Sequence, residues 1–210
     1  MTARPPAVFI VDDDEAVRNA LRLLLRSVGL AATALPNAQQ FLQTYDPHQP
    51  GCLVLDVRMP GMSGLELQQQ LNLRGAMLPV IFITGHGDIP MAVDAMQQGA
   101  FDFLQKPFRD QDLIDRIQRA LERDRANRSE MDQKERARER LDSLTPRERE
   151  ILMLVTQGKP NKVMAADLGV SQRTVEIHRA RVMEKMGVSS LAQLVRIVVD
   201  LGEDGGATVP

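Results

Sequence analysis

Five polar residues stand where apolar runs stop: Asp12 and Asp13 after Ala7–Val11, Asp56 after Cys52–Leu55, Thr84 closing Leu78–Thr84, and Lys106 just beyond Phe101–Leu104. If they meet, carboxylates, a hydroxyl and an ammonium have a definite chemistry. Three carboxylates in one pocket repel one another, and at least one pKa must rise unless a cation intervenes. Oxygen donors with no His or Cys beside them favour a hard ion. Mg2+ suits because it uses few carboxylates, keeps waters and bridges to phosphate oxygens. An acceptor carboxylate, Mg2+, the Lys106 ammonium and the Thr84 hydroxyl are together what a phosphoryl group needs on its oxygens during and after transfer. Each residue also has a plainer use: Asp56 could cap a loop or helix, Thr84 could end a strand, and Lys106 could be a solvated surface lysine. Their shared placement at strand ends favours the chemistry.

The elements that must position these groups alternate. Cys52–Leu55 has no period-2 alternation, as expected of a parallel strand buried on both faces, and Pro60, Gly61 and Gly64 stop it. Ala7–Val11 is a similar strand, followed by an acidic loop in which Asp14 caps a helix with Val17, Ala20, Leu21, Leu24, Leu25 and Val28 on one side. Leu30–Leu35 reads as a thin strand, and Pro36 and Asn37 open a helix burying Ala38, Phe41 and Leu42. Helices over Gly64–Leu73 and Ile89–Gln98, a strand over Phe101–Leu104, and a helix capped by Asp110 complete the pattern through Leu121. Five strands alternating with five helices predict a doubly wound, five-stranded parallel sheet of the flavodoxin-like kind, with all strand ends sharing one edge.

The chain has 210 residues, enough for two small domains, and its one cysteine, Cys52, excludes a disulfide framework or a Cys-based zinc site. No stretch approaches ~20 apolar residues and the N-terminus lacks a signal-peptide core, so a soluble cytoplasmic protein with no membrane partner is expected. The net charge of −2 hides a division. Residues 1–120 carry 10 basic and 13 acidic side chains, whereas residues 143–201 carry 9 basic and 6 acidic. A basic second half hints at nucleic acid.

IVDDDEAVR, LDVRMPGMSG, ITGHGD and FLQKPF, in this order and spacing, resemble the receiver domains of two-component response regulators over residues 6–122. The resemblance implies that Asp56 is the phosphoacceptor, that Asp13 and Asp56 bind Mg2+ with the backbone carbonyl of Arg58, and that Asp12 helps through a water. It also implies that Thr84 hydrogen-bonds the phosphoryl group, that Lys106 pairs with it, that Phe103 changes position with Thr84, and that the Lys106–Pro107 bond is cis. Phe103 is core in any case. Arg58 and His86 stand where the family varies.

From Glu122 to Arg140 the sequence is mixed charge without Pro or Gly. Asp124 with Arg128, Glu130 with Lys134, and Asp132 with Arg136 have the favourable i,i+4 order, each worth ~0.3 kcal/mol when exposed. A solvated helical linker over 123–142 is expected, continuous with the helix from Asp110 and about 50 Å long, with a dimer stalk as the alternative.

In the second half, Thr145, Pro146 and Glu148 form an N-cap, a first-turn proline and a capping-box glutamate, starting a helix that Gly158 ends. Asn161–Leu168 follows, closed by Gly169. Ser171 caps a third helix to Met186, and Ser189 or Ser190 begins a fourth through Val198. Two short helices joined by LGVS describe a helix-turn-helix. Along the second of the pair, Val175, Val182 and Met186 hold the domain, while Gln172, Arg173, Glu176, Arg179 and Lys185 can point outward. LTPREREIL and GKPNKVMAADLGVSQRTVEIHRARVMEKM resemble the LuxR-type DNA-binding domain over residues 143–201, leaving 202–210 as a disordered tail. With a receiver, this is similar to the NarL/FixJ class of response regulators, FixJ-like branch. The resemblance implies contacts to DNA from Asn161, Lys162, Ser171, Arg173, Thr174, Val175, His178, Arg179 and Lys185. Lys162, Arg179 and Lys185 suit phosphates, and Thr174 and Val175 suit thymine methyls. Glu176 stands where many relatives carry lysine, and His178 would serve equally as a backbone hydrogen-bonding residue.

The expected function is a phosphorylation-controlled transcription factor, not an enzyme beyond assisting its own phosphorylation and dephosphorylation. A sensor histidine kinase would modify Asp56, and a face including Val93, Gln97, Lys106, Pro107 and Phe108 would dimerise. Two recognition helices would then meet double-stranded promoter DNA, with RNA polymerase a further partner. The rivals are an RNA-binding antiterminator with a receiver and an Asp-nucleophile phosphatase, although Arg58 stands where the phosphatase D-x-D motif needs its second acid.

Overall fold

The computed structural model describes residues 4–85 and 89–202. His86 and all but the first residue of the expected tail lie outside the described residues. The chain forms two compact units that divide between Arg128 and Ser129, inside one helix.

The first unit is a five-stranded parallel sheet of β1 (Ala7–Val11), β2 (Ala31–Leu35), β3 (Gly51–Asp56), β4 (Val80–Thr84) and β5 (Asp102–Gln105). The order is β2-β1-β3-β4-β5. Helices α1 (Glu15–Ser27), α2 (Ala38–Thr44), α3 (Gly64–Leu73), α4 (Ile89–Gln97) and α5 (Asp110–Asp142) follow the strands. Val11 pairs with Leu35 and with Leu55, and Asp56 pairs with Ile83, so the strands end almost level. The order reverses between β1 and β3, and Asp12 and Asp56 flank that switch point, where ligands of such sheets collect.

Both faces of the sheet are covered, which explains why β1, β3 and β4 read as unbroken apolar runs. Phe9, Val11, Leu53, Leu55 and Phe82 pack with Ala38, Phe41, Leu67, Leu71 and Ala95 on one face. Val8, Ile10, Val54, Ile81 and Ile83 pack with Leu21, Leu25, Leu113, Ile117 and Ala120 on the other. Side chains alternate along a strand, so Asp12 and Asp56 fall on the α1 and α5 side.

Local signals behave as expected at Asp14, whose carboxylate caps α1 through the Ala16 N–H, and at Ser63, which opens α3 with a capping box to Glu66. Asp110 differs: it is the first residue of α5 rather than its cap, and the first turn is closed by the Arg109 carbonyl. The first compact unit continues past residue 122, to Arg128. Asp124 is 1% exposed, and its Oδ2 accepts the Gly51 N–H at 2.9 Å. Arg128 grips Asp124 and donates to the carbonyls of Pro47 and Gln49, each at 3.0 Å. One of the three presumed surface pairs is therefore a clasp inside the first unit. Glu130 and Lys134 form the second pair at 2.7 Å, and among the described residues no ion pair joins Asp132 to Arg136. From Ser129 to Arg140 the helix is solvated except at Ala137.

The second unit contains α6 (Pro146–Thr156), α7 (Asn161–Leu168), α8 (Gln172–Met186) and α9 (Leu191–Asp200). Its core joins Leu141, Leu144, Ile151, Leu152, Val155, Met164, Val175, Val182, Met186, Leu194 and Val198. Thr145 and Glu148 make the reciprocal capping box, Ser190 caps α9, and Gly169 takes the left-handed turn after α7. Among the described residues no helix is long and apolar enough to cross a membrane.

Candidate functional site

At the carboxyl edge of the sheet, the Lys106 ammonium reaches Asp12 Oδ2 at 2.9 Å and Asp56 Oδ1 at 3.1 Å. Asp12 is 1% exposed and Asp56 7%. The other oxygen of each is held by backbone: Asp12 Oδ1 accepts the Asp14 N–H at 2.9 Å, and Asp56 Oδ2 accepts the Arg58 N–H at 2.8 Å. Lys106 is set in place by its own N–H, which donates to the Thr84 carbonyl at 2.8 Å, and it precedes the expected cis bond to Pro107. Gly64 allows α3 to start under the end of β3, since a Cβ there would run into the Asp56 carbonyl.

Burial pushes the Asp56 pKa up, Lys106 counters it, and Asp12 adds to the rise. Burial alone would lower Lys106, but its bonds and charge interactions with Asp12 and Asp56 outweigh that and raise it. The edge is thus a pair of carboxylates sharing one cation.

Thr84 is buried at the end of β4. Phe103 is only partly buried, packed beside the α3 and α4 core, rather than fully inside. Asp13 is exposed, one residue past the buried Asp12 where the chain has left the strand. Among the described residues no three acidic, His or Cys side chains gather closely enough to hold a metal by themselves. A Mg2+ ion nevertheless fits the donor set. It needs only one or two carboxylates beside its waters, the donors are all oxygen, and a desolvated Asp56 gains from a second cation. Arg18 was missed by sequence reasoning; its Nη1 donates to the carbonyls of Asp12 and Asp13 at 2.7 and 2.8 Å, fixing the acidic loop. Its placement one turn after the Asp14 cap was the available signal.

In the second unit, Ser171 caps α8 by accepting the Thr174 N–H, and its hydroxyl also bonds that of Thr174 at 2.8 Å. Lys162 and Arg173 are exposed, while Arg179 donates to Asn161 Oδ1 at 2.6 Å. His178 has a buried Nδ1 without a hydrogen-bond partner among the described residues, so the backbone-bonding alternative does not apply to that atom. Two expectations need correction. Val175 is 0% exposed, one of the core residues, so it cannot meet a thymine methyl. Lys185 turns inward, its ammonium on Glu148 Oε2 at 2.6 Å and the Ser143 carbonyl at 3.2 Å. The face opposite Val175 and Val182 exposes Arg173, Ile177, Ala180 and Glu184, with Arg181 beside them. Ile177, 43% exposed, was missed although the 100° helical step places it almost opposite Val175.

The comparisons agree with this two-part site. The sequence profile described as "Response regulator receiver domain" matches residues 8–118, and that of "Bacterial regulatory proteins, luxR family" matches residues 142–198. Nodulation protein W of Bradyrhizobium diazoefficiens is 48% identical over 195 residues, 93% of this chain and 86% of that protein. Transcriptional regulatory protein FixJ of Azorhizobium caulinodans is 48% identical over 195 residues, 93% of this chain and 92% of the relative. The solved structure of response regulator StyR superposes with a TM-score of 0.85 at 47% identity, covering 93% of this chain and 98% of that one. Full-length FixJ from B. japonicum does so with a TM-score of 0.58 at 38% identity, covering 95% and 98%. Both rival readings are set aside by these matches. The chain belongs to the response regulators that join a receiver to a LuxR-type DNA-binding domain, and it is a phosphorylation-controlled, DNA-binding transcriptional regulator.

Proposed function

We propose that Asp56 accepts a phosphoryl group from the phosphohistidine of a partner sensor kinase, and that the modified receiver pairs with a second copy to bring two α8 helices to promoter DNA. The observation that carries the receiver half is Lys106 spanning Asp12 and Asp56 at the carboxyl edge. An Asp56 oxygen attacks phosphorus, the P–O bond forms as the P–N bond breaks, and the histidine nitrogen leaves with the bonding pair. The Arg58 N–H fixes the carboxylate plane, Lys106 meets the phosphoryl oxygens, and Thr84 supplies a hydroxyl to them. Mg2+ would be held by Asp13, Asp56 and the Arg58 carbonyl, with Asp12 reached through a water, and supplies charge for those oxygens. No further turnover is proposed beyond this group's own hydrolysis.

Engagement of Thr84 draws Phe103 with it, and the α4–β5 face rearranges. That face exposes Val93 and Met96 at 46% each, beside Gln97, Lys106, Pro107 and Phe108, an apolar surface suited to a second copy. On DNA, Lys162 and Arg173 serve phosphates, Thr174 and Ile177 face base edges, and Asn161, Ser171, His178 and Arg179 order the helix. Lys185 serves as a tie within the domain. Incubation with labelled acetyl phosphate and Mg2+ tests the assignment: wild type takes up label and Asp56→Asn does not. Equal labelling of the variant would overturn it.

A further inference from the structure

We propose that Arg140, at the end of α5, is a positioning residue for DNA reading: it holds the C-terminal end of α8 and so sets the angle at which that helix meets bases. The inference rests on α8 being the recognition helix. The last carbonyls of a helix lack intrahelical partners and carry partial negative charge. At α8 the Met186 carbonyl receives Arg140 Nη1 at 3.1 Å. The chain then turns at Gly187, φ +66°, and a Cβ there would come within 2.8 Å of the same Nη1. The guanidinium therefore occupies the space a side chain would take.

Lys185, the helix's own last-turn cation, is committed to Glu148 and Ser143. The side-chain hydrogen bonds at the C-terminal end of α8 thus run to residues 140–148, while Val182 and Met186 seat the same end in the core. Farther along the helix, Arg179 donates to Asn161 of α7. Arg173 and Ile177 project from the stretch before these ties. At 1.5 Å per residue, α8 is about 22 Å long, so a tilt of about 3° displaces one end by about 1 Å. That displacement is enough to spoil a base-edge hydrogen bond, whereas a phosphate contact tolerates it. Arg140 acts through orientation and touches no DNA.

The test uses the full chain, duplexes enriched by the wild type from a random pool, and a scrambled duplex of equal length, all well below the melting temperature. Arg140→Ala is expected to lose about tenfold on the enriched duplex and less than about twofold on the scrambled one, with an unchanged salt slope and broadened base preference on reselection. Arg140→Gln, which keeps an N–H donor without the charge, should recover most of the preference. Equal losses on both duplexes with a shallower salt slope would make Arg140 a phosphate contact and overturn the proposal. So would a lowered melting temperature with unchanged base preference. Arg173→Ala serves as the control: if it changes binding to neither duplex, the recognition-helix assignment fails, and the proposal with it.

Discussion

Asp124, fifteen residues into α5, closes the amino edge of the sheet by accepting the N–H of Gly51, the first residue of β3. The carboxylate is buried, and Arg128 both neutralises it and carries the Pro47 and Gln49 carbonyls. Removing one member of such a pair leaves a buried charge uncompensated. Arg128→Ala should cost about 3 kcal/mol of receiver stability, and Asp124→Asn, which can keep one hydrogen bond, about half that. Urea unfolding followed by Tyr45, the one tyrosine in a chain without tryptophan, checks this, because Tyr45 stacks on Phe41 within the first unit. A change below about 0.5 kcal/mol for Arg128→Ala would mean that the clasp is not formed in solution.

The clasp also shows why part of the fold was not legible. Asp124, Glu130 and Asp132 each have a basic residue four places on, and spacing alone gives all three the same exposed ladder. Only the unpaired amide at the start of β3, distant in sequence, singles out Asp124. By contrast Asp12, Asp56, Thr84 and Lys106 were readable because each ends an apolar run, and parallel strands in register bring such ends together. Asp13, one residue farther past β1, is exposed, a difference from the buried Asp12 that the adjacent letters do not carry. Val175 and Ile177 were separable by helical angle, which a motif match does not consult.

Asp56 gives the receiver an unusual pH response. Its carboxyl pKa is raised by burial, so the folded state binds a proton more tightly than the unfolded chain. Stability from this group is therefore greatest at low pH and falls as pH rises from the ordinary carboxyl value of about 4 through the raised folded value. Asp56→Asn cannot ionise and retains Lys106 paired with Asp12. Without Mg2+ at pH 7 it should melt on the order of one to three degrees above wild type, and the difference should vanish below about pH 4. Tyr45 fluorescence melts across pH give the answer, and a variant less stable than wild type at pH 7 would show that Asp56 is held as a favourable ion pair.

Glu148 has the opposite sign. Its hydrogen bond from Lys185 comes first, followed by that from the Thr145 N–H, and together they hold its pKa down to about 2. That stability is fully present above the ordinary glutamate value of about 4.3 and is lost as pH falls toward the folded value. Glu148→Gln should cost about 1–2 kcal/mol at neutral pH and remove the acid dependence below about pH 4. Hydrogen exchange at amides of α6 and α8 in the full chain reads this locally. Exchange that still accelerates below pH 4 in the variant would place the acid sensitivity elsewhere.

Ile177 is the exposed apolar residue on the outward face of α8, between Arg173 and Glu184. A solvated helix face has no packing use for a β-branched side chain, whereas the major groove offers the thymine methyl as an apolar partner. Truncation removes that contact while leaving the charges untouched. Ile177→Ala should therefore weaken binding to the enriched duplexes by about 1–2 kcal/mol, lose preference at one base pair per half-site, and leave the salt slope as it was. Val175→Ala, cut from the core instead, should lower domain stability by about 1–3 kcal/mol without moving base preference. Parallel selection from a random pool separates the two. If base preference follows Val175 and not Ile177, α8 meets DNA by a different face from the one exposed here.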